Sequence, residues 1–179
     1  AAVMHAQFEM IHPFVDGNGR MGRLLISLFL TEKGLLSKPC FYMSAYLQEH
    51  REEYYTALGE ISRTGCWERW IRFFITAILE RSRANITILR EMTALYEECK
   101  KKLHDCTSSG YAINILDYAF ENPIFTVPTM AKTLQVSVPA LFHLIQKLQQ
   151  AGFFQCVRKG SGRQAALWSF GHMMDILQR

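Results

Sequence analysis

Residues 11–23 read IHPFVDGNGRMGR and separate two stretches of helical pattern. They hold a histidine, an aspartate, two glycines around an asparagine, and two arginines three positions apart. Because the residue before a proline disfavours helix, a first helix is predicted to end at about His12. A second helix is predicted from Arg20 to Lys33, since apolar residues recur there at helical spacing. The polar loop is therefore expected to lie between two packed helices.

The residue types of this loop fit a phosphate-binding site. Gly17 and Gly19 allow positive φ, so consecutive backbone N–H groups can turn toward an anion at a helix N-terminus. Asn18, between them, can hydrogen-bond a phosphate oxygen. Arg20 and Arg23 project from one face of the first helical turn and can hold a polyphosphate in charge-assisted bonds.

Two further side chains extend the predicted chemistry. Asp16 offers a hard oxygen ligand, and Mg²⁺ binds through one or two carboxylates together with phosphate oxygens. His12 is the side chain here that is suited to accept a proton near neutral pH. Phe14 is expected to be buried as the anchor of the loop. Together these residues indicate transfer of part of a nucleotide to a protic nucleophile.

The segment HPFVDGNGRMGR (12–23) resembles the signature of the Fic family, His-Pro-Phe-x-Asp/Glu-Gly-Asn-Gly-Arg-x-x-Arg, at every defined position. The resemblance extends over about residues 1–105 and includes AYLQEHREEYYTALGEI (45–61). It implies a Fic-type helical core that transfers AMP from Mg–ATP to a Ser, Thr or Tyr hydroxyl of a target protein. ATP and Mg²⁺ are the implied cofactors.

The resemblance also implies a role for each residue of the site. His12 corresponds to the catalytic base, and Asp16 corresponds to the magnesium ligand. Tyr54 lies where relatives place a tyrosine against adenine, with ordinary core or rim packing as the alternative for Tyr54 and Tyr55. The anion hole and the phosphate clamps correspond to Gly17, Asn18, Gly19, Arg20 and Arg23.

Beyond the loop the pattern stays helical as far as residue 105. Ser44 is predicted to cap a helix that ends near Gly65. One long helix is predicted from Trp67 to about His104, where apolar residues recur every three or four positions. Its second half carries only a narrow apolar stripe, which indicates packing against one neighbour, for example a partner chain.

The segment CTSSG (106–110) is interpreted as a boundary. After it come two helices around a short extended piece, then a helix capped by Ser137, then a β-hairpin with a Gly-Ser-Gly tip. This order is a winged-helix pattern. We therefore predict a mainly α protein, with a Fic-type core at residues 1–105 and a winged helix-turn-helix domain at 106–179.

Charge and composition bound the function. The chain has 179 residues, of which 49% are hydrophobic and 20% charged, with a net charge of +4, which is typical of globular proteins. Five scattered cysteines with no C-x-x-C pair argue against zinc and against a disulfide framework, so a cytoplasmic setting is expected. No apolar run reaches transmembrane length, so no membrane partner is predicted.

A second hypothesis comes from another functional class. No acidic residue occurs between Glu121 and Asp175, and three basic residues flank the predicted wing tip, namely Arg158, Lys159 and Arg163. A nucleotide-sensing regulator could use this surface to bind DNA. That reading leaves His12 without a purpose and is not favoured. A Fic enzyme that transfers another phosphate-containing group also remains open.

The same resemblance implies which partners the protein has and how its activity is inhibited. A target protein with a hydroxyl side chain is expected, and a homodimer is considered. Many Fic relatives carry an inhibitory helix, [Ser/Thr]-x-x-x-Glu-[Gly/Asn], and the sequence contains no match to it. The chain opens in a helical pattern without Met, so its core is expected to be N-terminally incomplete. Inhibition is therefore expected from a missing upstream segment or an antitoxin-like partner.

Overall fold

The structure, a computed structural model, describes residues 1–162 and 164–178. Arg163, predicted beside the wing tip, lies outside the described residues. The prediction of a mainly helical fold is confirmed. The helices are α1 (Ala2–Ile11), α2 (Asn18–Glu32), α3 (Ser44–Glu49), α4 (Arg51–Thr64), α5 (Glu68–Cys106), α6 (Ala112–Glu121), α7 (Val127–Leu134), α8 (Val138–Gln150) and α9 (Gly171–Leu177). The strands are β1 (Ile124–Thr126), β2 (Gln155–Arg158) and β3 (Leu167–Ser169).

Two compact units divide the chain, residues 1–85 and residues 86–179. The division falls within α5, whereas the sequence suggests a boundary at 105/106. The second part of α5 joins the C-terminal unit because its apolar residues pack there. The assignment of residues 1–105 and 106–179 to two functional domains stays a prediction.

The core of the first unit surrounds Trp70 of α5. The Trp70 side chain is fully buried, and its indole N–H donates to the Ala2 carbonyl oxygen at 2.9 Å. Tyr54 of α4 and Phe74 pack their rings against it, with ring centroids 5.7 Å away in each case. Burial of each such side chain stabilises the fold by about 1.5–3 kcal/mol. This core fixes α1, and with it the start of the polar loop.

The region after α2 differs from its prediction in one place. Two helices, α3 and α4, replace the single helix expected between Ser44 and Gly65, and Ser44 does not act as the cap. His50 makes the break, with φ −105° and ψ 37°. Its ring stacks on Tyr46 at 4.0 Å and its Nδ1 lies 3.1 Å from the Tyr46 carbonyl oxygen. The His50 side chain thus hydrogen-bonds to the Tyr46 carbonyl oxygen in the last turn of α3.

The C-terminal unit combines helices with a small antiparallel sheet in the order β1–β3–β2. Trp168 of the central strand pairs with Phe125 on one side and with Cys156 on the other. Cys99 and Leu103 of α5 are buried in the core of this unit. The narrow stripe on α5 therefore packs against the chain's own C-terminal unit in this part. The winged-helix assignment and the homodimer stay predictions.

The cap of α8 and the end of the C-terminal unit differ from what the sequence predicts. Ser137 precedes α8 as predicted, but its side chain makes no capping hydrogen bond. Helix α9 follows the hairpin and is not predicted from the sequence.

Within the part of the chain that the structure describes, no helix is both long enough and apolar enough to span a membrane.

Candidate functional site

The polar loop joins α1 to α2 within the first unit, and Asn18 holds its shape. The Asn18 side chain is 2% exposed; its Oδ1 accepts from the Phe14 N–H at 2.9 Å, and its Nδ2 donates to the Phe14 carbonyl oxygen at 2.6 Å. The Phe14 side chain is 47% exposed, so the expectation that it is the buried anchor is wrong. Asn18 takes that role because its amide satisfies both backbone groups of Phe14. The Asn18 side chain therefore serves the loop itself.

The N-terminus of α2 presents backbone N–H groups beside two guanidinium groups. Gly17 is the N-cap residue with φ +86°, which favours glycine, and α2 begins two residues before the predicted Arg20. The first N–H groups of a helix have no intrahelical partner. A Cβ at Gly17 would lie 3.4 Å from Arg20 Nη2, and one at Gly19 would lie 3.1 Å from Arg23 Nη1. Each guanidinium therefore lies over one glycine.

The two arginines differ in their partners. Arg20 lies 3.3 Å from the Asp16 carboxylate, and these side chains are 75% and 90% exposed. Such an exposed pair contributes about 0–1 kcal/mol, so phosphate and metal can replace it at small cost. Arg23 is half-buried and makes no ion pair with any other described residue. It is thus the stronger candidate for a bound anion.

His12 ends α1 at the opposite side of the loop. Its backbone has φ 50° and ψ 57°, a left-handed conformation that costs a non-glycine residue about 1–2 kcal/mol. The exposed ring has Nδ1 3.3 Å from the Glu9 carbonyl oxygen. Because a carbonyl can only accept, this contact requires the proton on Nδ1 and leaves the Nε2 lone pair to accept another proton.

The chain is similar to Fic proteins over the segment that carries this loop. Residues 1–30 match the Fic/DOC family. A probable protein adenylyltransferase of Aquifex aeolicus is 45% identical over 58 residues, which cover 32% of this chain and 16% of that protein. Protein adenylyltransferase fic-1 of Caenorhabditis elegans is 34% identical over 86 residues, 48% of this chain and 15% of that protein. A Fido domain-containing protein of Dictyostelium discoideum is 59% identical over 34 residues, 19% of this chain and 23% of that protein.

The chain therefore spans less than a quarter of the length of these relatives. The Fic match covers α1, the loop and most of α2, which are the elements that carry His12, Asp16, Arg20 and Arg23. The other elements of the chain fall outside it. The similarity to Fic proteins thus coincides with the candidate site.

Asp16 is the candidate metal ligand of the polar loop. Its Oδ1 accepts from the Gly17 N–H at 2.7 Å, and its Oδ2 lies 3.3 Å from Arg20. No cluster of three or more His, Cys, Asp or Glu side chains suited to a metal occurs among the described residues. One exposed carboxylate fits Mg²⁺ when phosphate oxygens and water supply the other ligands. The site therefore suits magnesium that arrives with a nucleotide.

An open cavity of about 250 Å³ lies beside Arg23 and is lined by both Tyr54 and Tyr55, which differ in their exposure. Tyr54 is only 8% exposed, and its ring contacts the rings of Trp70 and His5 in the core. Tyr55 is 58% exposed, and the Arg51 guanidinium lies 5.6 Å from its ring centroid. The predicted adenine contact of Tyr54 stays a prediction, whereas Tyr55 presents the more accessible aromatic surface.

Behind the loop lies a buried polar cluster that the sequence analysis does not identify. His5 is fully buried, its Nε2 lies 3.2 Å from the Tyr54 hydroxyl, and burial lowers the pKa of His5 to about 4. Burial raises the pKa of Tyr54 and of Glu9, although for Glu9 the charges of Arg23 and His12 act in the opposite direction. The spacing of His5 and Glu9, four positions apart on one face of α1, is the signal that could have revealed this cluster.

Proposed function

We propose that this chain contains the catalytic segment of a protein adenylyltransferase, which moves AMP from Mg–ATP to a Ser, Thr or Tyr hydroxyl of a target protein. The observation that carries the proposal is the N-terminus of α2, with Arg20 and Arg23 over its glycines and His12 at the other end of the same loop. The names of the relatives, protein adenylyltransferases, support the same reaction.

The proposed reaction needs one base and an anion site. His12 Nε2 accepts the proton of the target hydroxyl while the hydroxyl oxygen attacks the α-phosphorus of ATP. The bond from the α-phosphorus to the bridging oxygen breaks, and pyrophosphate leaves. Arg20, Arg23 and the N–H groups of Gly19 and Asn18 stabilise the negative charge that develops. Magnesium held by Asp16 would neutralise further phosphate charge.

Labelled ATP tests this function against the alternative of a different transferred group. The protein is incubated with a cell lysate and ATP carrying a radioactive label on either the α- or the γ-phosphate. Compared with the same lysate incubated with His12→Asn, we expect additional label in protein only from the α-position, because AMP retains the α-phosphate alone and the kinases of the lysate act equally in both samples. Additional label from the γ-position would indicate phosphate transfer, and additional label from neither position would contradict nucleotide-dependent modification.

Tyr55 is proposed to contact the base of the nucleotide in the cavity beside Arg23. A base stacked on an aromatic ring contributes about 1–3 kcal/mol, so Tyr55→Ala should weaken ATP binding about 5- to 150-fold. Tyr55→Phe should retain binding. Tyr54→Phe, which removes the hydroxyl that faces His5, should leave ATP binding within about twofold while lowering the melting temperature. Titration calorimetry checks each variant.

Inorganic tripolyphosphate provides the control for this prediction. It carries no base, so Tyr55→Ala should bind it as well as the wild type does. Equal ATP affinity of Tyr55→Ala and wild type would contradict a base contact at Tyr55. A large loss from Tyr54→Phe would instead favour the assignment of Tyr54.

For the C-terminal residues 106–179 we propose a winged helix that docks target proteins or regulates the enzyme. The order of α6, β1, α7, α8 and the β2–β3 hairpin supports this assignment. Exposed His143 and Lys147 on α8, with Arg158 and Lys159 at the hairpin, would give at most weak, salt-sensitive DNA binding. Inhibition is proposed to come from an upstream segment or an antitoxin-like partner, and the setting is proposed to be cytoplasmic.

A further inference from the structure

Glu9 is a carboxylate enclosed between α1 and α2 directly behind the phosphate-binding loop. Its side chain is only 11% exposed, and its Oε1 has no hydrogen-bond partner among the described residues. Oε1 lies so close to Gly22 that a Cβ there would overlap it. The nearest basic atom is His5 Nε2 at 4.0 Å. A buried, ionised carboxylate without a hydrogen bond is costly, so it depends on the charges that surround it.

Four titratable or charged groups face Glu9 from the packed elements. His5 lies on α1, where burial keeps it neutral near pH 7 with a pKa of about 4, and His12 follows the end of α1. On α4 it is the hydroxyl of Tyr54, whose pKa burial raises, and on α2 it is Arg23. Burial raises the pKa of Glu9, and the charge of Arg23 is the largest influence that opposes this effect. Arg23 is therefore the main permanent counter-charge of the Glu9 carboxylate.

We propose that Glu9 takes up one proton from the solvent when the phosphates of a nucleotide bind Arg23. The inference rests on the proposed nucleotide site. Bound phosphates neutralise Arg23 and add negative charge, so the buried carboxylate loses its compensation. The proton converts it to a neutral carboxylic acid, which needs no counter-charge in this buried position.

Proton uptake makes nucleotide affinity depend on pH. Because binding raises the pKa of Glu9, affinity is greatest at low pH and falls as the pH rises through the pKa of the complex. For each unit by which binding raises the pKa of Glu9, the nucleotide affinity at high pH is about tenfold lower than that at low pH. At pH values above the pKa of the complex, the wild type binds nucleotide while Glu9 remains an ionised carboxylate without a compensating charge. A neutral residue at position 9 removes the dependence.

Titration calorimetry of Mg–ATP in two buffers of different ionisation enthalpy measures the protons taken up. All variants carry His12→Asn, because Asn tolerates the left-handed backbone at position 12, prevents turnover and removes the imidazole at this position. Glu9→Gln then removes the proposed proton acceptor with almost no change in shape. Glu32→Gln is the matched control, since Glu32 is a 65% exposed carboxylate on α2.

We expect His12→Asn to take up more protons per Mg–ATP than His12→Asn/Glu9→Gln, and His12→Asn/Glu32→Gln to match the parent. Protons taken up by the nucleotide itself are common to all three proteins. Equal uptake with and without Glu9 would overturn the inference while leaving nucleotide binding intact. Absence of Mg–ATP binding in the parent would contradict both the inference and the proposed function.

Infrared difference spectroscopy provides a second measurement that does not require the Glu9 variant to fold. Addition of Mg–ATP to His12→Asn should produce the carbonyl stretch of a protonated carboxylic acid, and His12→Asn/Glu32→Gln should retain that band. Its absence would overturn the inference. A band that persists in a folded Glu9→Gln variant would assign the proton to another carboxylate.

Discussion

His12→Ala should lower AMP transfer by about 100- to 10,000-fold while ATP affinity changes little. The base acts on the target hydroxyl after the nucleotide is bound, so its removal affects kcat and not ATP binding. The contact of His12 Nδ1 with the Glu9 carbonyl oxygen supports this role, because it leaves Nε2 to accept the proton. Steady-state transfer rates together with ATP calorimetry check both halves of the prediction.

The left-handed backbone at position 12 calls for a matched variant. Alanine in this conformation is strained by about 1–2 kcal/mol, whereas asparagine tolerates it and still cannot act as a base. His12→Asn should therefore lose transfer as completely as His12→Ala while retaining stability. His104→Ala, at an exposed position on α5, is the control and should transfer normally. Transfer by His12→Asn at a near-wild-type rate would show that His12 is not the base.

Arg23→Ala should lower kcat/KM for transfer by about 100- to 1,000-fold, the usual cost of removing one donor to a developing anion. Arg20→Ala should cost less than about tenfold, because exposed charges interact weakly in water. The difference follows from the structure: Arg23 is half-buried without an ion pair among the described residues, whereas Arg20 is 75% exposed and pairs with Asp16.

A third arginine provides the control for these two. Arg72 forms an exposed ion pair with Glu68 at 2.8 Å, away from the loop, so Arg72→Ala should leave kcat/KM unchanged. ATP and adenosine binding are then compared for each variant, because only ATP carries the phosphates that Arg23 is proposed to bind. Equal losses from Arg20→Ala and Arg23→Ala, or equal loss of adenosine and ATP binding, would contradict the assignment of Arg23.

Local signals are sufficient to predict where the helices on either side of the loop end and begin. Pro13 ends α1, the glycines permit the turn, and the apolar spacing after Arg23 defines α2, so each boundary depends on residues within a few positions. The same locality makes His12, Asp16, Arg20 and Arg23 identifiable as a group. Their positions along one loop and one helical turn largely determine their positions in space.

Contacts between distant residues are beyond the reach of such signals. The burial of Asn18 and the exposure of Phe14 depend on how the loop folds over α2, and both side chains suit either environment in the sequence. His5 meets Tyr54, 49 positions away, only when α1 packs against α4 and α5. The break at His50 arises from the hydrogen bond between the His50 ring and the Tyr46 carbonyl oxygen. Helix propensity scales do not represent such a contact between a side chain and the backbone.

The most direct test of the central claim is tandem mass spectrometry of the target modified in the presence of Mg–ATP, using the longest natural form of the protein. The proposed function predicts an adduct with the mass of AMP on a Ser, Thr or Tyr hydroxyl, present with the wild type and absent with His12→Asn. An adduct with the mass of phosphate or of another phosphate-containing group would contradict AMP transfer, as would an AMP adduct that His12→Asn still forms.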